Sequence, residues 1–170
     1  FLTIHHLANN IMDKKKDIKT LIIKNPLKLD CGKIINNFPV AYETYGALNE
    51  VKDNAILIFH ALTGDQFASG INPITKKDGW WSYAVGPEKA IDTNKYFVIC
   101  ANVIGGCMGS YGPSNIDLTS NKTLGINFPV ITIRDMVKAQ ETLLDHLGIK
   151  KLLCATGGSM GGMQLLEFCT

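Results

Sequence analysis

Two stretches of this chain, Ala55-Ile56-Leu57-Ile58-Phe59 and Tyr96-Phe97-Val98-Ile99-Cys100, are apolar without a break, and residues 151–155 form a third such run after Lys151. Short runs rich in branched and aromatic side chains are what central strands covered on both faces require. Residues 40–45 differ, with Val40, Tyr42 and Thr44 alternating against Ala41, Glu43 and Tyr45. With residues 20–24 they predict an antiparallel entry into a sheet. Between the second and third runs, Ile133, Met136, Val137, Leu143, Leu144 and Leu147 recur at helical spacing. Thr132 followed three residues later by Asp135 makes a capping-box variant, and Gly148 before apolar Ile149 fits a Schellman stop. Residues 160–168 again read as a helix, with no stop signal before Thr170. Strand, helix, strand and a further helix is the βαβ order of a mostly parallel α/β sheet, whose sites lie at the carboxyl ends of the strands. No repeat, low-complexity tract or proline-rich linker divides the chain. Residues 20–170 therefore read as one domain portion, behind an N-terminal extension over 1–19 for which disorder is one reading. The chain opens on Phe1 rather than methionine and closes in mid-helix, so the expectation is a piece of a longer protein.

Composition narrows the class. The 170 residues are 46% hydrophobic and 19% charged, the make-up of a soluble globular protein. No apolar run approaches the roughly 20 residues that span a bilayer, and no signal peptide or anchor is apparent. A formal charge of +2 with scattered lysines supplies no basic stripe for nucleic acid; Lys14-Lys15-Lys16 reads as a solvated face or frayed terminus. Cys31, Cys100, Cys107, Cys154 and Cys169 are odd in number and lack C-x-x-C spacing. They read as reduced, mostly buried thiols of a cytoplasmic protein, with Cys100 and Cys154 inside strand-like runs and no metal site.

The chemistry concentrates at Gly157-Gly158-Ser159-Met160-Gly161-Gly162, directly after the third apolar run. A G-x-S-x-G sequence between strand and helix is a nucleophile elbow, a turn so tight that small residues, here Gly157 and Gly161, must flank the serine. A serine hydroxyl needs a base to take its proton and preset N–H donors for the oxyanion of its tetrahedral intermediate. The backbone N–H of Met160 is one such donor. The second is expected from the loop after Phe59, with Leu62 in His60-Ala61-Leu62-Thr63-Gly64 as the candidate.

Other features weigh less. His60 reads as a hydrogen-bonded structural histidine in preference to a base, because triads on such sheets run serine, acid, histidine along the chain. His146 lies in the last turn of a helix, and His5 and His6 lie near the terminus, so none looks catalytic. The glycine-rich stretch 105–112 matches neither G-x-G-x-x-G nor a P-loop and reads as a loop shaping the cleft mouth. Cys107 lacks an adjacent base or helix start that would make it a second nucleophile. Trp80 and Trp81 are an aromatic pair of the core or the cleft wall, with core preferred.

Tyr42-Glu43-Thr44-Tyr45-Gly46, His60 to Gly64, Gly79-Trp80-Trp81, Ile91-Asp92-Thr93, Asn102 to Cys107, Gly112-Pro113, Phe128-Pro129, Thr132 to Val137 and Gly157 to Gln164 occur in an order that resembles homoserine O-acetyltransferase. The resemblance runs from about residue 20 to 168 and implies an α/β-hydrolase fold, truncated after the elbow and used for acyl transfer. It implies that acetyl-CoA, a substrate and not a permanently bound cofactor, acetylates Ser159, and that L-homoserine then takes the acetyl group for methionine synthesis. The family's catalytic aspartate and histidine, its carboxylate-binding arginine and its helical lid would lie beyond Thr170, and a homodimer is open for the longer protein. Partners are then small molecules, with no nucleic acid or membrane. Ser82 stands where the family commonly has an acidic residue, and residues 115–125 depart from its usual proline-containing stretch. The alternatives are homoserine O-succinyltransferase or serine O-acetyltransferase of the same family, a serine esterase on the same fold, and a catalytically inert fragment.

Overall fold

A computed structural model describes residues 18–117 and 120–170. The expected N-terminal extension thus lies outside the described residues, except for Ile18, buried against Ala41 and Phe67, and Lys19. In chain order the strands are β1 (Thr20–Ile23), β2 (Leu27–Lys28), β3 (Ile34–Ile35), β4 (Phe38–Tyr45), β5 (Ala55–Phe59), β6 (Val85–Gly86), β7 (Ile91–Asp92), β8 (Phe97–Ala101), β9 (Ile116–Asp117), β10 (Lys122–Thr123) and β11 (Cys154–Gly157). Two α-helices follow the second and third apolar runs, α1 (Ile133–His146) and α2 (Met160–Phe168).

The main sheet has the order β1-β4-β8-β5-β11. β1 and β4 pair antiparallel, β4 meets β8 antiparallel, and β8, β5 and β11 run parallel. This is the antiparallel entry and parallel centre expected from the pattern. β5 shows why its run is unbroken. Ala55, Leu57 and Phe59 face the helix side with Leu143, Leu144 and Ile149, while Ile56 and Ile58 face Ala68, Val85, Val98 and Cys100 on the other. The helix side is closed by α1 and α2, and Phe59 and Phe168 rings lie 5.6 Å apart. No α-helix covers the other side among the described residues; the excursion over residues 60–96, with β6 and β7, does so instead.

The ends of α1 follow from its sequence. The Thr132 side chain accepts from the Asp135 N–H, and the Asp135 carboxylate accepts from the Thr132 N–H at 3.0 Å, completing the capping box. At the other end Gly148 has φ +71°, and Ile149 N–H reaches Leu144 O at 3.0 Å while Gly148 N–H reaches Asp145 O, the paired bonds of a Schellman stop.

One strand departs from expectation. The third run predicts a strand over residues 151–155 covered on both faces, but β11 begins at Cys154, and Leu153 is 55% exposed. Within the stretch this chain spans, β11 pairs with β5 on one side only, whereas β5 and β8 have a strand on each side. The thiols, expected to be mostly buried, are corrected as well, since Cys31 and Cys107 lie in loops and Cys169 follows the last helix. Cys100 on β8 is buried, whereas Cys31, Cys107, Cys154 and Cys169 are exposed. No helix among the described residues is long and apolar enough to cross a membrane.

Candidate active site

β11 ends at Gly157 and α2 begins at Met160, so Ser159 stands in the two-residue turn between them, at φ 56° and ψ −126°. A non-glycine residue in this region is strained by roughly 1–3 kcal/mol and persists only where its surroundings enforce it. Here they do. A Cβ on Gly161 would lie 2.1 Å from Phe59 O, and one on Gly157 would lie 2.6 Å from Gly161 O. The start of α2 is thus pressed against the end of β5 closely enough that only glycine fits at either flank. The packing drives the chain through a sharp bend and leaves Ser159 exposed at the carboxyl end of the sheet.

Two hollows meet at this turn. One, of about 390 Å³, is lined by Ser159, Gly158, Ala61, Trp80, Trp81 and Tyr83 and is largely apolar. The other, of about 420 Å³, is lined by Leu62, Met160, Asn102, Cys107, Phe128 and Met136 among others. Since Ala61 and Leu62 are consecutive, as are Ser159 and Met160, the two peptide units form the divide between the hollows. The Leu62 and Met160 amides donate no hydrogen bond to another described residue.

The tryptophan pair is the correction here. It stacks at 5.5 Å with an interplanar angle of 12°, Trp80 Nε1 donates to Asp65 O at 2.9 Å, and Trp81 Nε1 donates to Tyr83 Oη at 2.8 Å. Trp81 packs on the core beneath, but both rings wall the hollow of Ser159, so the pair belongs to the cleft as much as to the core. Both indole N–H groups are satisfied within the wall, which leaves ring faces as the surface offered.

His60 is 1% exposed and fully engaged. Its Nδ1–H donates to Ala61 O at 2.7 Å, and its Nε2 accepts from the Val103 N–H at 3.2 Å. The tautomer follows from these partners. Burial pulls its pKa below the ordinary value, against a smaller raising effect of the Ala61 bond and the Asp65 charge. A neutral imidazole with both nitrogens occupied cannot act as a base; it fastens the loop after β5 to the loop after β8. The glycine-rich stretch lines the second hollow through Gly105, Gly106 and Cys107, as a cleft-shaping loop. Burial pushes the Cys100 thiol up, so it is inert, and no group of three or more acidic, cysteine or histidine side chains suited to a metal occurs among the described residues.

Residue patterning missed the buried amides. Gln140 and Gln164 are at most 1% exposed, and Gln140 Nε2 donates to Gln164 Oε1 at 2.7 Å. Two glutamines on the inward faces of otherwise amphipathic or apolar helices were the available signal, because a buried amide needs partners.

A sequence profile described as alpha/beta hydrolase fold matches residues 54–169. A homoserine O-acetyltransferase of Pelagibacter ubique is 71% identical over 157 residues, covering 92% of this chain and 42% of its own length. One from Mesorhizobium japonicum is 57% identical over 145 residues, covering 85% and 37%. Among solved structures, a homoserine O-acetyltransferase from Bacillus anthracis superposes with a TM-score of 0.78 at 34% identity, over 88% of this chain and 42% of that one. Esterase E22 does so with the same TM-score of 0.78 at 37% identity, over 86% and 42%. The chain spans about two fifths of the length of the curated relatives it matches, 42% and 37% for these two.

Proposed function

Because the chain belongs to the α/β-hydrolase fold family, we propose that it is the nucleophile-bearing part of an acyltransferase that moves an acetyl group from acetyl-CoA to the hydroxyl of L-homoserine through an acyl-Ser159 intermediate. The observation that carries this is the strained, exposed Ser159 on a turn that Gly157 and Gly161 alone permit. The names of its close relatives support the choice of acetyl as the group moved and homoserine as its acceptor.

In this scheme Ser159 Oγ attacks the thioester carbonyl while a base takes its proton. Negative charge gathers on the carbonyl oxygen, where the Leu62 and Met160 amides, unengaged by other described residues, donate to it; one such donor is worth on the order of 3 kcal/mol. The C–S bond breaks, CoA leaves as the thiol with the proton from the base, and acetyl remains on Ser159. The hydroxyl of homoserine then attacks the acyl carbon, its proton passes through the same base to Ser159 Oγ, and O-acetylhomoserine departs. The aspartate and histidine of the triad follow Thr170 in this account, and no resident cofactor or metal is needed. Trp80, Trp81 and Tyr83 give the acyl group an apolar wall on one side, the kind of surface transfer needs if it is to outrun hydrolysis.

The TM-score to esterase E22, equal to that of the Bacillus anthracis structure, makes hydrolysis the rival outcome. Thiol release from acetyl-CoA, followed in the protein expressed at its relatives' length with and without homoserine, separates the two. Release that depends on homoserine is expected; release indifferent to it would favour the esterase.

A further inference from the structure

We propose that Gln164 is a positioning residue that sets the spacing of the two oxyanion donors. The inference rests on the acyl-serine chemistry proposed above. The two amides come from separate parts of the chain, Leu62 from the loop after β5 and Met160 from the first turn of α2. A hole made of two segments holds its geometry only if something spans them. The Gln164 side chain does. Its Nε2 donates to His60 O at 3.3 Å, two residues before Leu62, and to Met160 O at 3.4 Å, the carbonyl of the other donor residue.

Gln164 is itself fixed. It is fully buried, and its Oε1 accepts from Gln140 Nε2 on α1 at 2.7 Å, which decides which way the amide faces. Both of its protons are thereby turned toward the two carbonyls. His60 extends the tie, since its ring bonds Ala61 O and the Val103 N–H and so holds the same loop from the opposite side. The buried chain therefore runs from α1 through α2 to the loop after β5 and on to the loop after β8. Gln164 lines neither hollow, so its effect is on distance.

The test uses the protein expressed at its relatives' length and the turnover of p-nitrophenyl acetate, in which acylation of the serine and its discharge both place an oxyanion in the same hole. Gln164→Met keeps the volume and removes both donated bonds. It is expected to lower kcat at least about tenfold with KM within about twofold, as a misplacement near 1 Å does in a preorganised site. A folded Met variant with a smaller fall in kcat overturns the proposal. Gln164→Glu decides the matter should the Met variant not fold. A buried carboxyl donates to one carbonyl when protonated and repels both when ionised. The ratio of variant to parent kcat should therefore rise as pH falls, and a ratio independent of pH overturns the proposal. Ser159→Ala in the same assay keeps the two claims apart: turnover that survives it sinks the acyl-serine account itself, whereas turnover that needs Ser159 but ignores Gln164→Met sinks only the role given to Gln164.

Discussion

Gly161 carries as much of the elbow as Ser159 does. A Cβ added there would lie 2.1 Å from the backbone oxygen of Phe59, whereas one on Gly158 would meet nothing within 4 Å. Gly161→Ala is thus expected to cost about 2 kcal/mol or more, and Gly158→Ala within about 0.5 kcal/mol of zero, both read from thermal midpoints; equal midpoints would contradict the packing described. His60 makes a second prediction at this scale. Its folded pKa lies below the ordinary 6.5, so as pH falls the unfolded chain takes up a proton first. Its contribution to stability is full above about pH 6.5, shrinks as pH falls below that, and stops changing once the folded imidazole also protonates. His60→Gln should flatten this part of the profile in urea titrations, although it lowers stability throughout; a slope unchanged by the substitution would refute the assignment. The serine and its glycine flanks were legible in the sequence because the elbow is a local motif. The contacts of Gln164 were not, because the carbonyl of His60 that it reaches lies 104 residues away, and for Trp80 and Trp81 the sequence left core and cleft wall both open.

Helix α1 shows how far local signals reach at the scale of elements. Its capping box and Schellman stop were both readable from residues 132–149, since every bond involved spans at most five positions. What could not be read is that the Asp135 carboxylate also accepts from the Asp30 N–H at 3.0 Å, pinning α1 to the loop between β2 and β3. Asp135 is fully buried, so its removal strands two backbone donors along with the cap. Asp135→Ala is expected to destabilise by about 2–4 kcal/mol, well above the ~1 kcal/mol of an ordinary exposed cap, in chemical denaturation. A loss no larger than that of an exposed cap would show that Asp30 finds another partner. β11 is the opposite case. Its run resembles β5 in composition, yet only residues 154–157 pair with β5, because a hydrophobic run does not encode its register.

For the whole molecule, the antiparallel entry and parallel centre were legible in the pattern of runs, and the strand order places the ends of β5, β8 and β11 side by side. That arrangement brings Leu62 and Met160 into one hollow and Ser159 into the next, which no single motif states. The 170 residues by themselves are expected to show no transferase turnover, since loss of the base and its orienter costs factors of about 10⁴ to 10⁶ in rate; thiol release from acetyl-CoA by this chain alone, abolished by Ser159→Ala, would contradict this. The central claim is that Ser159 carries the acetyl group. It is tested most directly by mixing the protein at its relatives' length with acetyl-CoA, quenching in acid, and locating the modification by peptide mass spectrometry. The account predicts an acetyl group on Ser159 that disappears as O-acetylhomoserine forms when homoserine is added. An unmodified Ser159 in a protein that still produces O-acetylhomoserine, or an acetyl group on any other residue that homoserine discharges, would contradict it.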